Sequence, residues 1–262
     1  MTHVEASVVI ARVAPEWDRS GFRAWCENLE ALAAAVRPEA VIYRKRNLIF
    51  RASIEGVEVA VKRFPTVKPA QRLIYRWRTT KAVRAFDHAT RLLALGFGTP
   101  APLAAVEVRR GAWPIASYFC STLVAGFTEA RTLRATDAAD RPRLLALIGE
   151  LIGRMHEAGV LHRDLTSGNI LLLPSPASPG GVEFQLVDVN RMRFGRIGVP
   201  AGIANLVQLR LNDDDEVLQG YCRARRLDPT RLRRYYRVRL ALRALHQTTK
   251  ERTRPLRRRL GL

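Results

Sequence analysis

Residues 160–173, Val160-Leu-His-Arg-Asp-Leu-Thr-Ser-Gly-Asn-Ile-Leu-Leu-Leu173, decide how the chain is read. Asp164 follows His162-Arg163, and Asn169 stands five residues further on. This is an H-R-D-x-x-x-x-N loop. A carboxylate at this spacing can take the proton of an attacking hydroxyl, and an amide oxygen can reach a metal ion. A short loop carrying both sets them on either side of one reacting atom. The apolar flanks read as short buried strands. A lone His-Arg-Asp carries little weight, and the spaced Asn makes the pattern far more specific.

Two further segments supply partners in order. Upstream, Gly56-Val57-Glu58-Val59-Ala60-Val61-Lys62-Arg63-Phe64 alternates apolar and polar residues as a half-buried strand does. Its Val59-Ala60-Val61-Lys62 resembles a V-A-I-K strand, whose ammonium holds the α/β-phosphates of ATP. Downstream, Phe184-Gln185-Leu186-Val187-Asp188 is a second strand ending in a carboxylate that suits magnesium. Either segment alone reads equally well as an ordinary edge strand or strand-ending turn. Lys62, Asp164, Asn169 and Asp188 in this order point to ATP- and Mg2+-dependent phosphoryl transfer on a protein-kinase-like fold. The expected fold class is α+β: two lobes, a small strand-rich N-lobe and a mainly helical C-lobe.

Composition frames that reading. The 262 residues are 47% hydrophobic and 26% charged, which fits a globular protein with a sizeable core. No apolar run approaches a membrane span, and the N-terminus has no secretory pattern. Cys26, Cys120 and Cys222 are too few and too far apart for a disulfide framework or a metal site. A cytoplasmic location is expected. Lys and Arg number 44 against 24 Asp and Glu, a formal net charge of +20. Basic residues run from Lys62 through Arg63, Lys68, Arg72, Arg76, Arg78 and Lys81 to Arg84 without an intervening acid, and recur at Arg231–Arg239 and Arg257–Arg259. This favours phosphate-rich partners. No nucleic-acid motif is present, so an anionic membrane face or glycolipid is expected and nucleic acid is not.

Periodicity gives the element order. A helix is expected over 20–36 with Ser20 as N-cap, strands near 40–63 and 103–123, and a helix from Lys81 to Leu95 ending at Gly96. The strongest helix runs from Asp137 to Ala158, with Leu144, Leu147, Ile148, Leu151, Ile152 and Met155 on one face. Helices fill 200–260. The expected organisation is an N-terminal helical extension (1–38), an N-lobe (39–121), a hinge (122–126) and a C-lobe (127–262) with basic C-terminal helices.

Several kinase features are absent. No G-x-G-x-x-G precedes Lys62; Arg44-Lys45-Arg46-Asn47 stands there instead. No A-P-E or long activation segment follows Asp188, Asn190 replaces the DFG glycine, and Thr166 stands where protein kinases often carry Lys. These departures favour a branch acting on small molecules or sugars.

Tyr43-Arg-Lys-Arg-Asn47, Val61-Lys62-Arg63-Phe64, Ile74-Tyr75-Arg76, Thr80-Lys81-Ala82, Leu95-Gly96, Thr99-Pro100 and Val187-Asp188-Val189-Asn190-Arg191-Met192-Arg193-Phe194 together resemble the lipopolysaccharide kinase family, the Kdo and heptose kinases of Gram-negative bacteria. The resemblance covers about residues 40–225. It implies ATP, magnesium, the cytoplasmic leaflet and a sugar hydroxyl on an anionic glycolipid such as a lipid A core. Carried over residue by residue, it assigns phosphate orientation to Lys62, magnesium to Asp188 and Asn169, and the acceptor proton to Asp164. Asp87, the only acid in the Lys81–Leu95 helix, is expected to pair with Lys62 in place of the usual Glu. Thr122, Leu123 and Val124 are expected to offer backbone groups to adenine. His156 reads as packing and His162 as loop support. The competing readings are an atypical Ser/Thr protein kinase, a small-molecule phosphotransferase of the aminoglycoside type, and a nucleotide-binding pseudokinase scaffold. The +20 charge argues against a pocket for cationic drugs, and the intact residue set argues against a pseudokinase.

Overall fold

A computed structural model of the chain describes residues 6–65, 75, 78–135, 139–211 and 215–259, with backbone alone for 246–259. Arg72 and Arg76 of the basic run lie outside the described residues. The chain divides into two compact units, Met1–Phe127 with Phe184–Arg191, and Thr128–Glu183 with Met192–Leu262.

The first unit is built on a six-stranded antiparallel sheet. Its strands are β1 (Ala6–Val13), β2 (Val41–Arg44), β3 (Leu48–Ile54), β4 (Val57–Pro65), β5 (Pro102–Arg110) and β6 (Trp113–Thr122), in the spatial order β1-β5-β6-β4-β3-β2. The alternation in β4 sorts its side chains. Val59 and Val61 pack with Phe22, Leu29, Phe50, Val106 and Tyr118. Phe64 packs in a separate cluster with Val83, Phe86 and Ala105. A period of two therefore puts Lys62 on the Phe64 face and Arg63 on the Val61 face. Arg63 there donates to Glu30 at 3.0 Å and to the Tyr118 hydroxyl at 2.8 Å. The β3–β4 turn needs positive φ at two successive residues, and Glu55 (φ 50) and Gly56 (φ 78) supply them. That two-residue turn matches the twist of the strands and fixes the register that opposes Ile49 to Lys62.

The helix expected over 20–36 is two helices, α1 (Ser20–Glu27) and α2 (Leu29–Ala34). The break falls at Asn28, whose side-chain amide turns back to donate to the Ala24 carbonyl at 2.8 Å. Such local bonding is what makes Asn a poor interior helix residue. Ser20 is already helical, and the N-cap position is Arg19, with no capping side-chain bond. The expected helical extension also contains strand β1, which adds to the sheet by pairing with β5. α3 (Lys81–Ala94) starts at Thr80, whose hydroxyl accepts from the Val83 amide at 3.5 Å. It buries Ala82, Val83, Phe86, Ala89 and Leu92.

The second unit contains β7 (Thr128–Glu129), α4 (Arg141–Glu157), β8 (Val160–His162) and β9 (Ile170–Pro174). β10 (Val182–Leu186) then leads the chain back into the first unit. β11 (Met192–Phe194), α5 (Val199–Leu206), α6 (Asp215–Arg225) and α7 (Pro229–Arg259) complete it. Helices α4 and α6 cross at backbone distance. A Cβ on Gly220 would stand 1.9 Å from the Ala146 carbonyl oxygen, and one on Gly149 2.1 Å from that of Val217. No residue larger than glycine fits either position. α7 opens on Asp228, which accepts from the Thr230 amide at 2.9 Å, with Pro229 in the first turn. Its inward face carries Tyr236, Leu240 and Arg243, and its outward face exposes Tyr235, Val238, Leu242 and Leu245. Among the described residues no helix is long and apolar enough to cross a membrane.

Candidate active site

In the first unit the geometry centres on an ion pair. Lys62 Nζ lies 2.8 Å from Asp188 Oδ1, with side-chain exposures of 15% and 28%. β4 sets the lysine by strand alternation, and Asp188 is set by what clamps its neighbours. The Leu186 amide donates to the Gly98 carbonyl at 2.9 Å, and the Thr99 hydroxyl donates to the Leu186 carbonyl at 2.7 Å. A Cβ on Gly98 would stand 2.2 Å from the Phe184 carbonyl oxygen, so glycine is required for this approach. On the far side, His88 Nδ1 of α3 bonds the Val189 carbonyl at 2.8 Å. Burial lowers the pKa of His88. The ring is thus neutral at pH 7, and the bond to a carbonyl requires the proton on Nδ1. Asp188 itself has φ 58. Asp is one of the few residues that enters the left-handed region at modest cost, and the clamps on either side hold it there.

Lys81, which feels Asp188, lies among further cations. Burial lowers the pKa of Lys81, followed by its proximity to Arg46, Arg84 and Arg191, while Asp188 acts in the opposite sense. The ammonium of Lys81 sits 5.9 Å from the Phe64 ring centroid. Arg84 Nε is buried without a hydrogen-bond partner among the described residues. Arg46 belongs to the β2–β3 turn, where a glycine-rich loop would otherwise stand. At Lys81 the cations Arg46, Arg84 and Arg191 act against Asp188, a local excess of positive charge.

Asp87 is not beside Lys62. It accepts from Arg12 on β1 at 3.0 Å and is 41% exposed. The overlooked strand β1 explains the error, because it supplies the competing arginine. The amides of Thr122 and Leu123 donate to the carbonyls of Ala101 (3.0 Å) and Glu58 (2.9 Å), so they are spent within the sheet.

In the second unit the loop after β8 folds on itself. The Thr166 amide donates to the Asp164 carbonyl at 2.9 Å, the Asn169 amide to the Thr166 carbonyl at 2.9 Å, and Asn169 Nδ2 to the Asp164 carbonyl at 2.8 Å. With its NH2 so engaged, the Asn169 side chain turns Oδ1 the other way, the atom a cation would use. The Asp164 amide donates to Nδ1 of His162, which is fully buried.

A buried polar chain supports this loop. Asn205 Nδ2 on α5 donates to the His162 carbonyl at 2.8 Å. Asn205 Oδ1 must then accept from His156 Nε2, 3.1 Å away, which fixes the tautomer. His156 Nδ1 accepts from the Tyr221 hydroxyl at 3.1 Å, and that hydroxyl accepts from Arg225 at 2.8 Å. Burial pushes the His156 pKa down to about 4, so the ring is neutral as the bonding requires. His156 is thus more than packing, and Asn205 and Tyr221 carry no motif of their own. Arg134 adds a second brace, donating to the Ser167 hydroxyl at 2.9 Å and the Leu209 carbonyl at 3.1 Å.

No group of three or more His, Cys, Asp and Glu among the described residues forms a self-contained metal site. Single carboxylate and amide oxygens, completed by phosphate oxygens and water, are what magnesium takes.

A strand lysine paired to an aspartate, with an H-R-D-x-x-x-x-N loop following a helix, defines the protein-kinase-like class. A solved structure described as WaaP in complex with acyl carrier protein shares the fold, with a TM-score of 0.60 at 19% identity, covering 90% of this chain and 95% of that one. The lipopolysaccharide kinase (Kdo/WaaP) family model matches residues 66–212, more than half of the sequence, and the chain belongs to that family. Asp164, Asn169 and Asp188 fall inside the match, and Lys62 lies just before it. Over 98 residues the chain is 33% identical to a 3-deoxy-D-manno-octulosonic acid kinase of Photobacterium damsela subsp. piscicida, covering 37% of this chain and 40% of that protein. Over 101 residues it is 33% identical to a probable bifunctional tRNA threonylcarbamoyladenosine biosynthesis protein of Methanothermobacter thermautotrophicus, covering 38% and 18%. It therefore spans less than half the length of either relative.

Proposed function

We propose that the protein is an ATP- and magnesium-dependent kinase that transfers the γ-phosphoryl group to a hydroxyl of a sugar in lipopolysaccharide core or a similar glycolipid. The observation that carries this reading is the Lys62–Asp188 ion pair at 2.8 Å, with Lys81 near Asp188 and itself among Arg46, Arg84 and Arg191, in a chain of the lipopolysaccharide kinase family. Lys62 orients the ATP phosphates, and the surrounding cations take the role that glycine-rich backbone plays in protein kinases. Val124, past the amides spent in the sheet, is the first hinge residue whose backbone serves adenine. Asp188 and Asn169 are the residues that would hold magnesium, which supplies charge neutralisation on the transferring phosphoryl group. Asp164 takes the acceptor hydroxyl's proton, held by the self-bonded loop and by Asn205 behind it. Positioning and charge stabilisation supply most of the rate.

Peripheral attachment to an anionic membrane fits α7. Tyr235, Val238, Leu242 and Leu245 form an exposed apolar stripe among arginines, the mix that rests at a lipid interface. Transfer of γ-labelled phosphate from ATP tests the function across a panel of acceptors: the octulosonic acid sugar on a lipid A precursor, a Ser/Thr peptide and an aminoglycoside. Label in the glycolipid alone supports the reading, and label in the peptide or the drug instead would overturn it.

A further inference from the structure

Beside the H-R-D loop the second unit gathers arginines that neither nucleotide nor magnesium accounts for. Arg243 lies on the inward face of α7, which packs on the turn Val207–Leu209. Arg210 follows that turn directly, its backbone in the left-handed region at φ 56. Arg134 is fixed by its bonds to Ser167 and Leu209. Arg131 sits over Gly168 in the loop and is paired with Glu129.

The charges are close enough to act on one another. Burial lowers the pKa of Arg243 first, then Arg210, while Asp164 acts in the opposite sense. Burial likewise lowers that of Arg134, followed by Arg210 and Arg131. Arg210 is thus shared between Arg134 and Arg243, and Arg243 is within electrostatic reach of Asp164. The Nε of Arg243 is buried without a hydrogen-bond partner among the described residues. Like charges drawn together, with a buried donor left unmade, are unfavourable in isolation and become favourable once an anion sits among them.

We propose that Arg243 and Arg210, backed by Arg134, form an anion subsite next to Asp164 that seats the acidic group of the acceptor, a carboxylate or a phosphate, and so presents its hydroxyl to the catalytic carboxylate. The inference deepens the kinase reading and rests on it only for the acceptor's identity. Binding of an oxyanion to these arginines stands independently of transfer. A hydroxyl alone gives an enzyme little to hold, whereas a guanidinium fork grips a carboxylate or phosphate in a fixed direction.

The test uses the full chain with Arg243→Gln, Arg243→Lys and Arg210→Gln, each checked by circular dichroism. The acceptors are the octulosonic acid sugar, its uncharged methyl ester and a hexosamine 1-phosphate. Arg243→Gln is expected to raise the KM for the charged acceptor by roughly 10- to 100-fold, the scale of one lost hydrogen bond to a charge. The KM for ATP stays unchanged, the poor rate with the ester stays as it is, and Arg243→Lys recovers part of the loss. Whichever charged acceptor shows the effect names the anion. An unchanged KM in both Gln variants would overturn the proposal while leaving the kinase reading intact. Inorganic sulfate, titrated against arginine Nε–H resonances, separates the two: sulfate bound by wild type and lost in Arg243→Gln supports the subsite even if no sugar is phosphorylated. Sulfate bound equally by both would sink it.

Discussion

The two units arrange polar groups in opposite ways. Around Lys62 and Asp188 the groups are charged, partly exposed and weighted towards cations. Behind Asp164 they are mostly neutral and buried: His156, Asn205, Tyr221 and His162 form a hydrogen-bonded chain in which the His156 tautomer is fixed. The first arrangement leaves positive charge in excess. The second is complete already and holds a loop in one shape. Excess charge suits gripping an anion, and neutral hydrogen bonding suits keeping geometry, since a buried charge without a partner costs far more than a satisfied neutral group.

Variants can break that contrast. Asp164→Asn removes the proposed proton acceptor and keeps the shape, so transfer is expected to fall by about 10²–10⁴-fold with nucleotide binding retained. Steady-state transfer alongside nucleotide titration checks both halves. On the charged side, Lys62→Ala and Asp188→Ala are each expected to lower kcat/KM for ATP by roughly 10²-fold, in the range for removing one preorganised charge-stabilising group. Normal activity of either at limiting ATP would remove that residue from the nucleotide site. On the neutral side, Asn205→Ala removes one donor to the His162 carbonyl and the acceptor of His156 Nε2–H. It is expected to cost about 1–3 kcal/mol of stability, read by urea denaturation, and to lower kcat without raising the KM for ATP.

Acid sharpens the contrast further. The folded-state pKa of His156 is held down at about 4, below the ordinary histidine value of 6.5, so the unfolded chain binds more protons between those two values. The stability this histidine contributes is fully present above pH 6.5 and is lost as pH falls towards 4. The loss is on the order of 3 kcal/mol, at 1.36 kcal/mol for each pH unit of the gap. Unfolding curves at pH 7 and pH 4.5 measure it, and His156→Gln is expected to flatten the difference. The smallest effect belongs to Asp87→Asn. Its exposed pair with Arg12 is worth at most about 1 kcal/mol, and activity should not change. A large loss of ATP use there would restore Asp87 to the Lys62 environment.

How much of this the sequence carried depends on how local each signal is. Lys62 is legible because β4 writes its alternation in consecutive residues, and Asp164 and Asn169 are legible because one short loop holds both. Asn205 and His156 stand 49 positions apart and meet only through the packing of α4 on α5, so no window of sequence joins them. Asp87 was misread for a related reason. Its position in α3 was right, but its partner Arg12 comes from a strand hidden in a stretch read as helical. The break at Asn28 turns on a single side chain bending back on its own helix, which periodicity does not register.

The most direct test of the central claim is tandem mass spectrometry of a glycolipid carrying the octulosonic acid sugar, after incubation with the purified protein, ATP and magnesium. A single added phosphate on a hydroxyl of that sugar or the adjoining core, absent when Asp164→Asn replaces the wild type, is the predicted result. An unmodified glycolipid, or the same product from both proteins, would contradict it.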